Sequence, residues 1–278
     1  MIRLEHHHPV TSADVVRIRE LAAHSSDRGL SDDYWLELAS GSGHGFLAFE
    51  GHALVGYGHM SLTDGTTTVQ ILTTDPFTVA VEAAVLEHVA APGRWNWWVL
   101  DPTDQENALA ASAGLEVSRQ VIQMRCQLPA HPALAAPTRA YRPGIDDREW
   151  LAVNARAFAS HPEQGAWTIN MLTARFAEPW FRADGFLVHE VDGAMAGFCW
   201  TKIHSQLATP LGEIYVIAVD PPFHGRGLGR ALTEAGLAWL ESQGITEGML
   251  YVDATNSAAV ALYRSMGFEA AHINTLFS

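Results

Sequence analysis

Residues 224–230, His-Gly-Arg-Gly-Leu-Gly-Arg, place three glycines and two arginines within one short stretch. Glycine tolerates positive φ, so backbone N–H groups on such a loop can converge on one point. Arg226 and Arg230 add local positive charge to a chain whose formal net charge is −14. The chemistry this suits is the binding of an anion, above all a phosphate group. Spacing excludes two familiar phosphate loops. A Walker loop requires Gly-Lys-Ser/Thr, and here Gly229 is followed by Arg230-Ala231. The dinucleotide fingerprint requires G-x-G-x-x-G, whereas Gly225, Gly227 and Gly229 alternate. A glycine-rich strand–helix turn without a ligand is the competing reading.

The flanking residues supply the elements that aim this loop. Residues 214–219 are apolar and rich in β-branched side chains, which predicts a strand. Asp220-Pro221-Pro222 ends it, because proline donates nothing to a sheet ladder. From Ala231 onward Leu232, Ala235, Leu237 and Leu240 recur at helical spacing. The loop then sits at a helix N-terminus, where the dipole favours an anion. Further on, residues 249–252 predict another strand, and 253–256 a turn whose Thr255 or Asn256 caps a short helix. That helix runs over 257–266, with Gly267 as its C-cap and Phe268-Glu269 leading into a last strand.

Composition bounds the answer. A chain of 278 residues suggests one or two domains, and 48% hydrophobic residues are ample for their cores. The net charge of −14 argues against nucleic-acid and anionic-membrane partners. No apolar run is long enough for a membrane span, and the first ten residues are polar, without a secretory pattern. Cys126 and Cys199 are far apart in sequence and have no activating neighbour, so both are expected to be packed, reduced thiols in a cytoplasmic, monomeric protein. His6-His7-His8 is not expected to hold a metal, since three adjacent side chains cannot face one ion from regular structure.

The chain also repeats itself. Gly45-Phe46-Leu47-Ala48-Phe49-Glu50 echoes Gly185-Phe186-Leu187-Val188-His189-Glu190, each leading into a glycine turn and a second strand. Asn107 to Glu116 echoes Asn256 to Glu269. Two related α/β domains are expected, over residues 1–128 and 139–278, joined by a Pro/Ala-rich linker over 129–138. The copies are unequal. Where the second has its glycine loop, the first has Leu72-Thr73-Thr74-Asp75-Pro76-Phe77-Thr78. Four residues before the closing glycine the second copy has Tyr263 and the first has Ala110. The first copy therefore reads as a degenerate domain without a phosphate loop.

The loop resembles the pyrophosphate loop of the GNAT acetyltransferases, commonly Q/R-x-x-G-x-G/A, with His224 in place of the usual Gln or Arg. Asn256-x-x-Ala259-x-x-Leu262-Tyr263-x-x-x-Gly267-Phe268 is similar to the ending of that family. A narrower resemblance, dense over residues 139–268, rests on Phe158-Ala159-Ser160-His161-Pro162-Glu163-Gln164-Gly165, Glu178-Pro179-Trp180-Phe181, the run from Gly197 to His204, and Gly212-Glu213-Ile214-Tyr215-Val216. Leu250-Tyr251-Val252 belongs to the same series, and Ile122-Gln123-Met124-Arg125 is also familiar. These resemble the mycothiol synthase (mycothiol acetyltransferase) family of tandem GNAT proteins.

That resemblance implies two tandem GNAT domains, each a mixed, mostly antiparallel sheet flanked by helices. It implies acetyl-CoA as co-substrate, no metal, and acetyl transfer to the cysteinyl amine of cysteinyl-glucosaminyl-inositol. Glu213 is then the candidate base, directly or through water, Tyr263 the acid for the departing thiolate, and the Val219 N–H the oxyanion donor. Ile217, Ala218 and Val219 would contact the pantetheine arm as an added strand does. His224, Gly225, Arg226, Gly227, Leu228, Gly229 and Arg230 would hold the phosphates, with Asn256, Ala258 and Ala259 completing the cofactor site. Glu163, Lys202, Glu213 and Tyr251 would contact the acceptor, joined by Asp32 from the first copy, with Asp33 as its rival. Trp167 and Trp180 read as site walls or as core. Another GNAT enzyme for a different small amine or a protein N-terminus remains open, as does a non-catalytic acetyl-CoA-binding protein.

Overall fold

A computed structural model describes residues 2–25, 30–63, 65–89, 94–129, 136–159, 164–205, 207 and 209–278. The chain divides into two compact units, Met1–Val121 with His272–Ser278, and Ile122–Ala271. Glu163 and most of the Pro/Ala-rich stretch lie outside the described residues.

The first unit carries β1 (Ile2–His7), α1 (Ser12–His24), α2 (Asp32–Ser40), β2 (His44–Glu50), β3 (Ala53–Thr63) and β4 (Thr66–Thr73). It continues with α3 (Thr78–Val89), β5 (Arg94–Leu100) and α4 (Asp104–Ser112). Strands β1 to β4 pair antiparallel in chain order, and β5 joins β4 in parallel. The sheet is completed by the end of β12 (Glu269–Phe277), where Asn274 pairs with Leu100 and Phe277 with Trp97. Val69, Val85, Trp97 and Phe277 pack on one face of this sheet. Ile18, Leu38, Leu47 and Tyr57 pack on the other.

The second unit takes the end of β6 (Val117–Gln127), then β7 (Arg139–Ala140), α5 (Asp147–Ala157), α6 (Ile169–Phe176), β8 (Phe186–Val191) and β9 (Ala194–His204). β10 (Leu211–Val219), α7 (Leu228–Ser242), β11 (Glu247–Asp253) and α8 (Ser257–Ser265) follow. The strand order is β7-β8-β9-β10-β11-β6. The hairpins read from the repeated motifs are β2–β3 and β8–β9. Asp192 and Gly193, both at positive φ, close the second one, as a two-residue turn between twisted strands requires.

Alternation along the strands gives the second unit two cores. Cys199, Ile214, Leu250 and Val252 face α7 and α8 and meet Leu232, Leu237 and Tyr263. The helix lies so close to the sheet that a Cβ on Gly236 would stand 2.5 Å from the Cys199 sulfur. Trp150, Phe186, Phe198, Trp200, Val216 and Ala218 form the opposite core under α5 and α6. The sheet is therefore a rigid floor, and the polar groups on it are fixed by strand register.

Candidate active site

The glycine loop begins at the end of β10. A single 3-10 turn, Pro221–Phe223, leads to His224. Gly225 and Gly227 both have φ of 76°, a region that L side chains avoid. Gly227 is the N-cap of α7 and has no side chain to cap with. The helix starts at Leu228, inside the glycine run and three residues before the Ala231 start that the apolar spacing marks. The first helical hydrogen bond runs from the Ala231 N–H to the Gly227 carbonyl at 3.2 Å. The amides of Leu228, Gly229 and Arg230 thus precede the ladder, at the positive end of a fifteen-residue helix. A Cβ at Gly225 or Gly227 would meet no protein atom within 4 Å, so the space before the loop is open.

The loop side chains have partners of their own. The His224 ring donates from Nε2 to the Val219 carbonyl at 2.9 Å, which ties the loop back to the strand end. The residue that departs from the usual Gln or Arg thus acts as a brace. The Arg226 guanidinium stands 5.2 Å over the Phe223 ring. Arg230 donates to Ser265 Oγ on α8 and lies 3.8 Å from Glu234.

Beside the loop the sheet opens. β11 pairs with β10 only from Gly212 to Ile214. The register between β10 and β9 slips between Ile214 and Val216, leaving Tyr215 as a bulge. Beyond the bulge the Asp220 N–H donates to the Ala196 carbonyl at 3.0 Å. Counting back by twos, the amides of Ala218 and Val216 face β9, and those of Ile217 and Val219 face the opening. The strand end is anchored by Asp220, whose carboxylate takes two hydrogen bonds from Arg156 at 2.9 and 2.7 Å.

On the α5/α6 face the strands carry a polar row. Lys202 and Glu213 stand directly across from each other on β9 and β10, and both are buried. The Lys202 Nζ lies 5.0 Å over the Trp180 ring and 5.6 Å over the Tyr215 ring, a cation held by aromatic faces. Trp180 is thus a wall of this row, while Trp167 packs against Trp150 and Trp200. Glu213 Oε2 accepts from His204 Nε2 at 2.7 Å. Gln123 Nε2 donates to the Tyr251 hydroxyl at 2.7 Å, and Arg125 Nε donates to Gln123 Oε1 at 2.8 Å. Tyr251 is 45% exposed.

Tyr263 stands on α8, buried in the core beneath the opening and 5.8 Å from the Phe268 ring. Among the described residues its hydroxyl has no hydrogen-bond partner. Burial pushes the phenol up to about 12, so it keeps its proton at neutral pH. Asn256 is the N-cap of α8, its Oδ1 accepting from the Ala259 N–H at 3.1 Å. The Ala259 amide is therefore spent on the cap, whereas Ala258 is exposed. Asp32 is the first residue of α2 in the other unit.

The first unit shows what its degenerate sequence builds. β3 and β4 pair without a bulge, from Gly56 with Thr73 to Thr63 with Thr66. α3 begins at Thr78, whose Oγ1 bonds Thr73 and the Asp75 carboxylate. The Asp75 carboxylate thus stands beside the start of α3. Ala110 is buried in an apolar core. Among the described residues no cluster of three or more His, Cys, Asp or Glu could hold a metal, and no helix is long and apolar enough to cross a membrane.

His204, Gln123 and Arg125 fell within the family-like segments of the sequence but were given no role there. The signal was alternation: His204 stands two residues past Lys202, and Gln123 and Arg125 alternate with the apolar Ile122, Met124 and Cys126.

The profile of the Acetyltransferase (GNAT) family matches residues 150–268. The chain is 40% identical to the mycothiol acetyltransferase of Acidothermus cellulolyticus, over 81% of this chain and 75% of that protein. It is 45% identical to that of Salinispora arenicola over 80% and 77%, and 38% identical to that of Thermomonospora curvata over 95% and 92%. Its fold is shared by a GCN5-related N-acetyltransferase from Sphaerobacter thermophilus, with a TM-score of 0.72 at 17% identity over 99% of this chain and 94% of that one. A tandem GNAT protein of the clavulanic acid biosynthesis pathway gives 0.69 at 17% identity over 100% and 98%. A bulged, splayed sheet beside a glycine-capped helix is thus found in a chain whose relatives carry one name along most of their length, and the chain belongs to the mycothiol acetyltransferase family of GNAT enzymes.

Proposed function

We propose that the enzyme transfers the acetyl group of acetyl-CoA to the cysteinyl amine of cysteinyl-glucosaminyl-inositol, forming mycothiol. One observation carries the reading. A single unit joins a cradle of helix-end amides, a strand edge freed by a bulge, and a buried carboxylate on the polar face beside that edge. These features fit acetyl-CoA. The positive-φ glycines and the amides of residues 228–230 suit a pyrophosphate, and the amides of Ile217 and Val219 suit the pantetheine arm. His224 supports the loop from behind, and Asn256 holds the start of α8.

Acetyl-CoA supplies the activated acyl thioester. The residues supply the rest. Glu213 takes a proton from the acceptor ammonium, so that the amine can act as a nucleophile. The Val219 N–H donates to the acyl oxygen as negative charge builds there. Tyr263, still protonated, gives its proton to the leaving thiolate. Lys202, Tyr251 and Glu213 bind the polar acceptor. Cys126 and Cys199 take no part: burial pushes the Cys126 thiol up to about 12 and raises that of Cys199 further. Two free, buried thiols and a net charge of −14 accord with a cytoplasmic enzyme for a small molecule.

The test is release of free thiol from acetyl-CoA, with and without cysteinyl-glucosaminyl-inositol. Release that requires this acceptor is the expected result. Tight acetyl-CoA binding without release would replace the acceptor with another amine, or the enzyme with a binding protein.

A further inference from the structure

The geometry points to His204 as a positioning residue for the Glu213 carboxylate. This rests on Glu213 being the base of the acetyl transfer. Glu213 lies buried on β10, and His204 is its one hydrogen-bond partner among the described residues, at 2.7 Å. The contact is a cross-strand diagonal: His204 pairs in register with Leu211, and its ring reaches two residues further along β10.

A glutamate side chain has several rotatable bonds, and a general base must sit within hydrogen-bond reach of its proton. Held at Oε2 by the imidazole N–H, the carboxylate presents Oε1 in a fixed direction. The ammonium N–H bond then breaks and an O–H bond forms on Oε1, and the proton passes to solvent as the product leaves. The imidazole is a quarter exposed while the carboxylate is nearly sealed, at 25% and 8%, so the ring is the part of the pair that meets water.

Among the described residues, the strands nearest Glu213 place Lys202 on β9, Glu247 and Tyr251 on β11, and Arg125 on β6 on the same face. Lys202 stands over the Trp180 and Tyr215 rings. Arg125 is bonded to Gln123, and Gln123 to Tyr251.

The test compares kcat and KM for the wild type, His204→Ala and His204→Gln, with acetyl-CoA and cysteinyl-glucosaminyl-inositol. His204→Ala should lose about 10–100-fold in kcat at little change in the KM for acetyl-CoA. His204→Gln keeps an N–H donor and should recover most of that loss. Wild-type kcat in His204→Ala would overturn the proposal, as would a Gln variant no better than Ala. If the wild type fails to acetylate this acceptor, the acceptor reading falls. The pair is then judged by the low-field imidazole N–H resonance of His204 in NMR. Its loss or displacement in Glu213→Ala supports the pair, and its persistence unchanged overturns it.

Discussion

Tyr263 and Ala110 each stand four residues before the closing glycine of their copy, and both are buried, so the difference is one of chemistry. A buried phenol with no partner for its hydroxyl among the described residues is costly unless something accepts from it. In Tyr263→Phe the ring remains and the proton donor goes. We expect kcat to fall about 10–100-fold with acetyl-CoA affinity nearly unchanged, measured by steady-state kinetics and calorimetry. Because burial raises the phenol to about 12, the acid form is kept below that pH, and the loss should be the same factor from about pH 6 to about pH 9. Tyr263 and Glu213 could be singled out in the sequence because family motifs fix their spacing. The partner of Glu213 could not, since the His204 contact depends on which residues face each other across a hairpin.

The β-bulge at Tyr215 and the left-handed turn at Gly227 act at the scale of elements. The bulge moves Val216 and Ala218 onto one core and Ile217 and Val219 onto the other. Strand identity could be read from apolar content, but the bulge could not, because 214–219 is apolar on both faces and alternation is silent there. The helix start was misplaced for a related reason: the glycines that open α7 carry no apolar signal. Gly227 can be tested directly. Its φ of 76° costs an L residue about 1–2 kcal/mol, and more for a β-branched one. Gly227→Val should weaken acetyl-CoA binding by at least about tenfold and abolish turnover, while circular dichroism shows the sheet intact. Normal affinity in that variant would move the phosphate site elsewhere.

The repeat foretold two similar halves, and hairpins β2–β3 and β8–β9 appear at the matched motifs. Which strand closes each unit could not be read from the repeat, because pairing partners far apart in sequence leave no local pattern. His272–Ser278 belongs with Met1–Val121, and Thr275 and Phe277 are buried there. Ile122–Gln127 belongs with the second unit, where Met124 and Cys126 pack in the α7 core. Fragments cut at the Pro/Ala stretch, 1–128 and 139–278, would each lack a strand. We expect both to be insoluble or unfolded alone, and removal of residues 272–278 to lower the melting temperature of the whole chain, by scanning calorimetry. The same arrangement sets a timetable for birth on the ribosome. The earliest-made half must wait, with the unpaired edge of β5 uncovered, until the polymerising chain has passed through every residue of the second unit and delivered β12. Over that interval the bare edge is a place where another chain can pair, the hazard that chaperones restrain.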